Sequence, residues 1–124
     1  MTVDADGARQ TGPALEKMHQ FVLWLIPMVE KFPQRQRFLL GDRIQTTGLD
    51  ILEGLIEATY SRGGRLRLLE IVNVRLEKLR ILFRIAMELR YLDLRRYEHA
   101  ARSLDEIGRL VGGWMKAHRG QTAP

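Results

Sequence analysis
Apolar residues recur at three- and four-residue steps along most of this chain, and nowhere does polarity alternate over the length of a strand. That spacing predicts helices. The first opens at Pro13, whose missing N–H has no helical partner in a first turn anyway. Leu15, Met18, Val22, Leu25, Val29 and Phe32 form one face, widened by Phe21, Trp24 and Met28. Pro27 lies inside this stripe and predicts a kink, because its nitrogen cannot donate to the Leu23 carbonyl. Phe32-Pro33 ends the segment, since a residue before proline avoids the α region.

Pro33 can open a second helix with the stripe Leu40, Ile44, Thr47, Ile51, Leu55 and Ala58. Gly41, Gly48 and Gly54 lie within it. Each costs roughly 1 kcal/mol relative to alanine in a helix interior, a loss that packing offsets most simply by bringing another helix close. Ser61-Arg62-Gly63-Gly64 is a stop.

The third segment, Leu66 to Leu92, is the longest and most apolar. Val72, Leu76, Leu79, Phe83 and Ala86 make one seam, and Ile71, Val74, Leu82, Ile85 and Leu89 lie beside it. The joint arc is wider than a single buried stripe needs. Either this is the central helix of the fold, or its extra face meets another subunit. Asp93 is a candidate N-cap for a last helix, Arg95 to Lys116. Tyr97, Ala101, Leu104, Gly108, Val111 and Met115 line one face of it, with Ala100, Ile107 and Trp114 alongside. Propensity alone would end this helix at the Gly112-Gly113 pair.

Four helices joined by short connections predict an all-α fold, an antiparallel up-down-up-down four-helix bundle. The expected division is a disordered leader over 1–12, the bundle over 13–119 and a disordered tail over 120–124. A length of 124 residues suits one domain. The longest apolar run, Phe21 to Val29, contains a proline and is far shorter than the roughly 20 residues a bilayer requires. The first residues have no apolar core of a signal peptide, so a cytoplasmic location is expected.

Charge changes the picture more than composition does. Residues 1–61 hold six Lys/Arg against eight Asp/Glu, a balance of −2. Residues 62–124 hold fourteen against seven, a balance of +7. The basic character therefore sits on helices of the second half, which suits an anionic partner such as RNA or DNA. Solvated helix faces account for part of it, through i,i+4 pairs such as Glu98–Arg102 and Asp105–Arg109. Arg80, Arg84, Arg90, Arg95 and Arg96 have fewer evident local partners and are the candidate phosphate or protein contacts. Few aromatic residues interleave with them, so electrostatic and weakly sequence-specific binding is expected.

Catalytic chemistry finds little support. With no cysteine, thiolate metal sites, disulfides and cysteine nucleophiles are excluded. His19, His99 and His118 stand apart, and no HExxH spacing occurs. No phosphate-binding glycine loop and no nucleophile elbow is present. Bundle-type ribonucleases of toxin systems carry an Arg and a His with four to six residues between them; Leu94, Asp93 and Leu92 occupy those places before His99. No enzyme activity, cofactor or metal is expected.

Two stretches carry a family resemblance. FPQRQRFLLGDRI (Phe32–Ile44) is similar to the start of the second helix in small bacterial four-helix-bundle proteins, a family that includes those encoded in ribosomal RNA intervening sequences. WLIPMVEKFP (Trp24–Pro33) and RYEHAARSLDEIGRLVGGWMK (Arg96–Lys116) resemble one branch more closely, the accessory variability determinant (Avd) proteins of diversity-generating retroelements. The likeness spans about residues 14–117. It implies a non-enzymatic bundle assembled into a pentameric, barrel-like ring with a basic surface. It also implies association with a reverse transcriptase, in support of mutagenic copying of a template RNA. The basic residues of the third and fourth helices would then meet the polymerase or its RNA and DNA. Phe83, Gly108, Gly112, Gly113 and Trp114 become candidates for helix or oligomer packing. The alternative is a structural bundle of the intervening-sequence type with no nucleic-acid role. A reverse-transcriptase gene with a template repeat next door would separate the two.

Overall fold
The computed structural model describes the backbone of residues 5–122 and the side chains of residues 12–121. Four long helices account for most of it: α1 Ala5–Val29, α2 Asp42–Tyr60, α3 Arg65–Glu88 and α4 Leu94–Thr122. No strand occurs among the described residues. Each helix packs on its neighbour in sequence, and α1 also meets α4, the sparsest of the four contacts. This is a four-helix bundle, so α3 is one corner of it and not a central helix. Of the expected leader, residues 1–4 lie outside the described residues and Ala5 onward is helical. Of the expected tail, residues 123 and 124 lie outside them and α4 runs to Thr122.

The interruption of α1 falls at a different place from the one the prolines suggest. Helical dihedrals continue through Pro27, and the break is at Gly12, with φ 71° and ψ 168°. Glycine adopts that left-handed φ at no steric cost. Pro13 then restarts the helix as the sequence predicts.

Close approach to its neighbours seats α2. A Cβ on Gly41 would lie 2.8 Å from Val29 Cγ1, and one on Gly54 would lie 2.8 Å from Val72 Cγ2. One on Gly48 would lie 3.1 Å from Leu25 Cδ1. Two glycines thus admit α1 and one admits α3, as the propensity argument requires. Between Pro33 and α2 the chain departs from a plain helix. A short α-turn, Gln34–Gln36, leads into a π-helical stretch, Arg37–Gly41, which runs straight into α2. The wider turn leaves Phe38 and Leu39 largely exposed while Gly41 is buried against α1. π-Helical turns recur at functional sites.

The core draws on all four helices. Met18, Leu25, Ile44, Ile51, Leu55, Leu76, Leu79, Leu104 and Ile107 are fully buried. Phe83 is buried at its centre, edge-on to Phe21 with ring centroids 5.9 Å apart and 6.3 Å from Trp24. Trp24 in turn lies 4.6 Å from the His99 ring, which ties α1 to α4.

Helix ends are satisfied by named groups. Arg65 donates from Nε to the Ala58 carbonyl at 2.7 Å and from a terminal nitrogen to the Thr59 carbonyl at 3.1 Å. A cation at the carbonyl end of α2 also complements the helix dipole. The same guanidinium lies over Trp114, 5.5 Å from the ring centroid, so one side chain joins α2, α3 and α4. Asp93 caps α4 as predicted, accepting the Arg96 N–H at 2.8 Å. The α3 terminus closes by bonds from Arg90 N to the Met87 carbonyl and from Tyr91 N to the Ala86 carbonyl. That pattern requires a left-handed residue, and Arg90 supplies it with φ 65°.

The glycines of α4 divide. A Cβ on Gly108 would lie 2.8 Å from an Arg80 terminal nitrogen, whereas nothing lies within 4 Å of one on Gly112 or Gly113. The helix nevertheless continues through that pair. Urea denaturation should therefore separate the positions. Gly54→Ala should cost about 1–3 kcal/mol through overpacking against Val72. Gly113→Ala should add roughly 0.5–1 kcal/mol by helix propensity alone.

Candidate functional site
The five candidate arginines do not form one patch. Arg80 is the most committed to the fold. Its guanidinium donates to Asp105 Oδ1 at 3.2 Å, to Glu77 Oε2 at 2.8 Å and to the Leu104 carbonyl at 3.1 Å. It bridges α3 to α4 over the gap that Gly108 leaves. The expectation that Arg80 lacks local partners is therefore corrected. The expected Asp105–Arg109 pair does not form, because Asp105 faces α3 and takes Arg80 instead. Nor does Glu98 pair with Arg102 among the described residues. Arg84 reaches Glu88 at 3.6 Å, with both side chains mostly exposed, an arrangement worth little net energy.

Arg90, Arg95 and Arg96 come together at the turn from α3 to α4. Arg96 pairs with the capping Asp93 at 2.9 Å. Arg90 and Arg95 are exposed and have no ion pair among the described residues. The C-terminal end of α1 meets this turn: the Phe32 and Tyr91 rings lie 6.0 Å apart. Between them is an open cleft of about 390 Å³ whose lining includes Met28, Lys31, Arg90, Tyr91 and Arg96. Lys31 is the cation here that sequence reading missed; it precedes Phe32-Pro33 and no charge pattern marks it out.

This end of the bundle is basic and partly apolar. Segments 30–43 and 84–97 hold eight Lys/Arg against four Asp/Glu. Phe38 is 76% exposed and Leu39 70%, and Leu89 and Leu94 are also exposed. The opposite end is basic as well, with Arg62, Arg67, Lys116 and Arg119, so charge alone does not choose between the ends. What this end adds is a cleft with cations in its lining and four exposed apolar side chains. Exposed apolar groups within a charged rim are the anatomy of a protein contact.

The residues proposed for packing also separate. Phe83 belongs to the core, Gly108 admits Arg80, and Trp114 is half-buried beneath Arg65. Gly112 and Gly113 face open space, so within one copy of the chain no neighbour explains them.

The sequence does contain one Glu-x-x-His pair, Glu16 and His19 on α1, both exposed. A di-iron bundle needs that motif on two helices. Among the described residues no group of three or more His, Asp or Glu could hold a metal ion. Among them also, no helix is long and apolar enough to cross a membrane.

Fold and surface together define a small all-helical bundle with a cationic, partly apolar end. The chain belongs to the bAvd-like family, whose model matches residues 14–118. That family is of an accessory, non-catalytic type. Among curated proteins no match is found.

The division among the arginines is measurable by thermal or urea denaturation. Arg80→Ala should destabilise the fold by about 1–3 kcal/mol, because the Leu104 carbonyl and two carboxylates lose their donor. Arg95→Ala should stay within about 0.5 kcal/mol of the parent. Equal effects at the two positions would contradict the assignment.

Proposed function
We propose that this protein is a non-enzymatic accessory factor of a diversity-generating retroelement. It binds the reverse transcriptase, the template RNA or its DNA copy, and so supports mutagenic copying in the cytoplasm. The observation that carries the reading is membership of the bAvd-like family over residues 14–118. The basic, partly apolar end of the bundle supports it by offering a surface suited to a polymerase with bound nucleic acid. On this reading Arg90, Arg95 and Arg96, joined by Lys31, make the contact. Arg84 is peripheral, and Arg80 serves by holding α3 to α4.

The bundle is antiparallel, up-down-up-down, and assembles into a homopentameric ring. Support for the topology comes from contacts between α1 and α4. Lys17 pairs with Glu106, Trp24 lies against His99 and Phe32 against Tyr91, so numbers rise along one segment as they fall along the other. Support for assembly comes from exposed apolar residues of α3, among them Val74, Ile81 and Ile85.

Co-purification with a reverse transcriptase of a diversity-generating retroelement tests the contact. A variant carrying Arg90→Gly, Arg95→Gln and Arg96→Gln should lose the polymerase or bind RNA with a much shallower salt dependence. Removing three phosphate contacts should reduce the slope of log affinity against log salt by roughly 2–3. Arg90→Gly also relieves the left-handed backbone, which by itself should add about 0.5–1 kcal/mol. Loss of binding in a protein no less stable than the parent would therefore be a loss of charge, not of fold. Unchanged binding to both polymerase and RNA would overturn the assignment.

A further inference from the structure
Helix α3 is apolar on two opposite sides. At about 100° per residue, Val74, Ile81 and Ile85 fall on one line, about 170° around the helix from the line of Val72, Leu76, Leu79 and Phe83. The second line is core, while the first is open to solvent: Val74 is 57% exposed and Ile81 51%. The first line is bordered by cations. A shallow cleft of about 500 Å³ beside it is lined by Ile71 and Val74 together with Arg67, Arg75, Lys78 and one acid, Glu70. The result is an apolar ridge with a basic margin on the side of Arg67, Arg75 and Lys78, while Glu70, Glu77 and Glu88 run along its other side.

The other half of the bundle carries the opposite form. A groove of about 310 Å³ lies between α1 and α2, lined by Leu15, Glu16, His19, Leu52, Ile56 and Tyr60. Ile56 and Tyr60 are exposed there. Glu53 and Glu57 stand on the same helix and are exposed too. This is an apolar groove with an acidic margin. It belongs to α1 and α2, whereas the ridge belongs to α3, so one copy cannot fill its own groove.

We infer that the α3 ridge of one copy seats in the α1–α2 groove of the next, with Arg67, Arg75 and Lys78 facing Glu16, Glu53 and Glu57. The inference rests on the oligomer reading above and adds which surfaces meet. Ridge against groove is a head-to-tail contact between unlike surfaces, the kind that generates a ring when its rotation closes and a filament when it does not. Pairing ridge with ridge would close a dimer and set like charges against each other. Complementary margins favour the unlike pairing by removing that repulsion.

Mixing two assembly-defective variants tests this directly. One is altered on the ridge (Ile81→Glu, Ile85→Glu), the other in the groove (Ile56→Lys, Glu57→Lys). The replaced apolar residues are solvent-exposed, and cooperative thermal melting checks that each variant folds. Val74→Glu and Tyr60→Glu are single-substitution replacements should either double variant fail that check. Light scattering should give an oligomer for the parent and the 14.4 kDa chain mass for each variant alone. An equimolar mixture should give twice the chain mass and no more, because one intact ridge and one intact groove remain per pair. A parent that is itself monomeric would overturn both the ring and this pairing. An oligomeric parent whose groove variant still assembles, or a mixture that stays monomeric, would overturn the pairing alone.

Discussion
The spacing of α2 from its neighbours is the constraint on which the rest of the bundle depends. Positions 41, 48 and 54 have no side chain, and a methyl group at either end position would stand 2.8 Å from a valine of the facing helix. Leu25 and Val72 therefore press against α2 backbone and Val29 against the turn that leads into it, and the core closes around Ile44, Ile51 and Leu55. A second close approach sets α3 against α4. Gly108 leaves the space in which the Arg80 guanidinium reaches the Leu104 carbonyl and Asp105. Glycine in a helix costs propensity, and here each of these four positions returns it as interhelical contact.

Much of this was legible from the chain. Four apolar stripes placed the helices, and the glycines of the second predicted close packing before any neighbour was known. Asp93 as a cap and Ser61–Gly64 as a stop followed from local chemistry, which acts over a few residues. What the sequence hid was long-range. The partner of Asp105 is Arg80, 25 residues away on the adjoining helix, and not Arg109 one turn along. Arg65 belongs to the α2 carbonyls and Trp114, a role that depends on three helices meeting. The π-helical turn at Arg37–Gly41 answers to the contact of Gly41 with Val29, and no periodicity announces it. The wide apolar arc of α3 was visible, but only the fold shows that it is two opposed faces, one buried and one not.

Function follows from what the packing leaves unused. Arg80 is consumed by the fold and Arg84 lies in an exposed pair, so of the five arginines singled out in the sequence Arg90, Arg95 and Arg96 remain together at one end, where Lys31 joins them. Phe38 and Leu39 are presented beside it by the π-helical turn. The backbone at Arg90 is left-handed where glycine would be easier. That an arginine stands there fits a position kept for its charge. Membership of the bAvd-like family gives this surface its proposed partner.

Hydrogen exchange with and without a reverse transcriptase of a diversity-generating retroelement tests the central claim most directly. The account predicts that adding the polymerase slows exchange at residues 31–43 and 89–97, at the end that holds the cleft, and leaves the opposite end, residues 58–66 and 114–121, unchanged. Protection confined to that opposite end, or none at either, would contradict it.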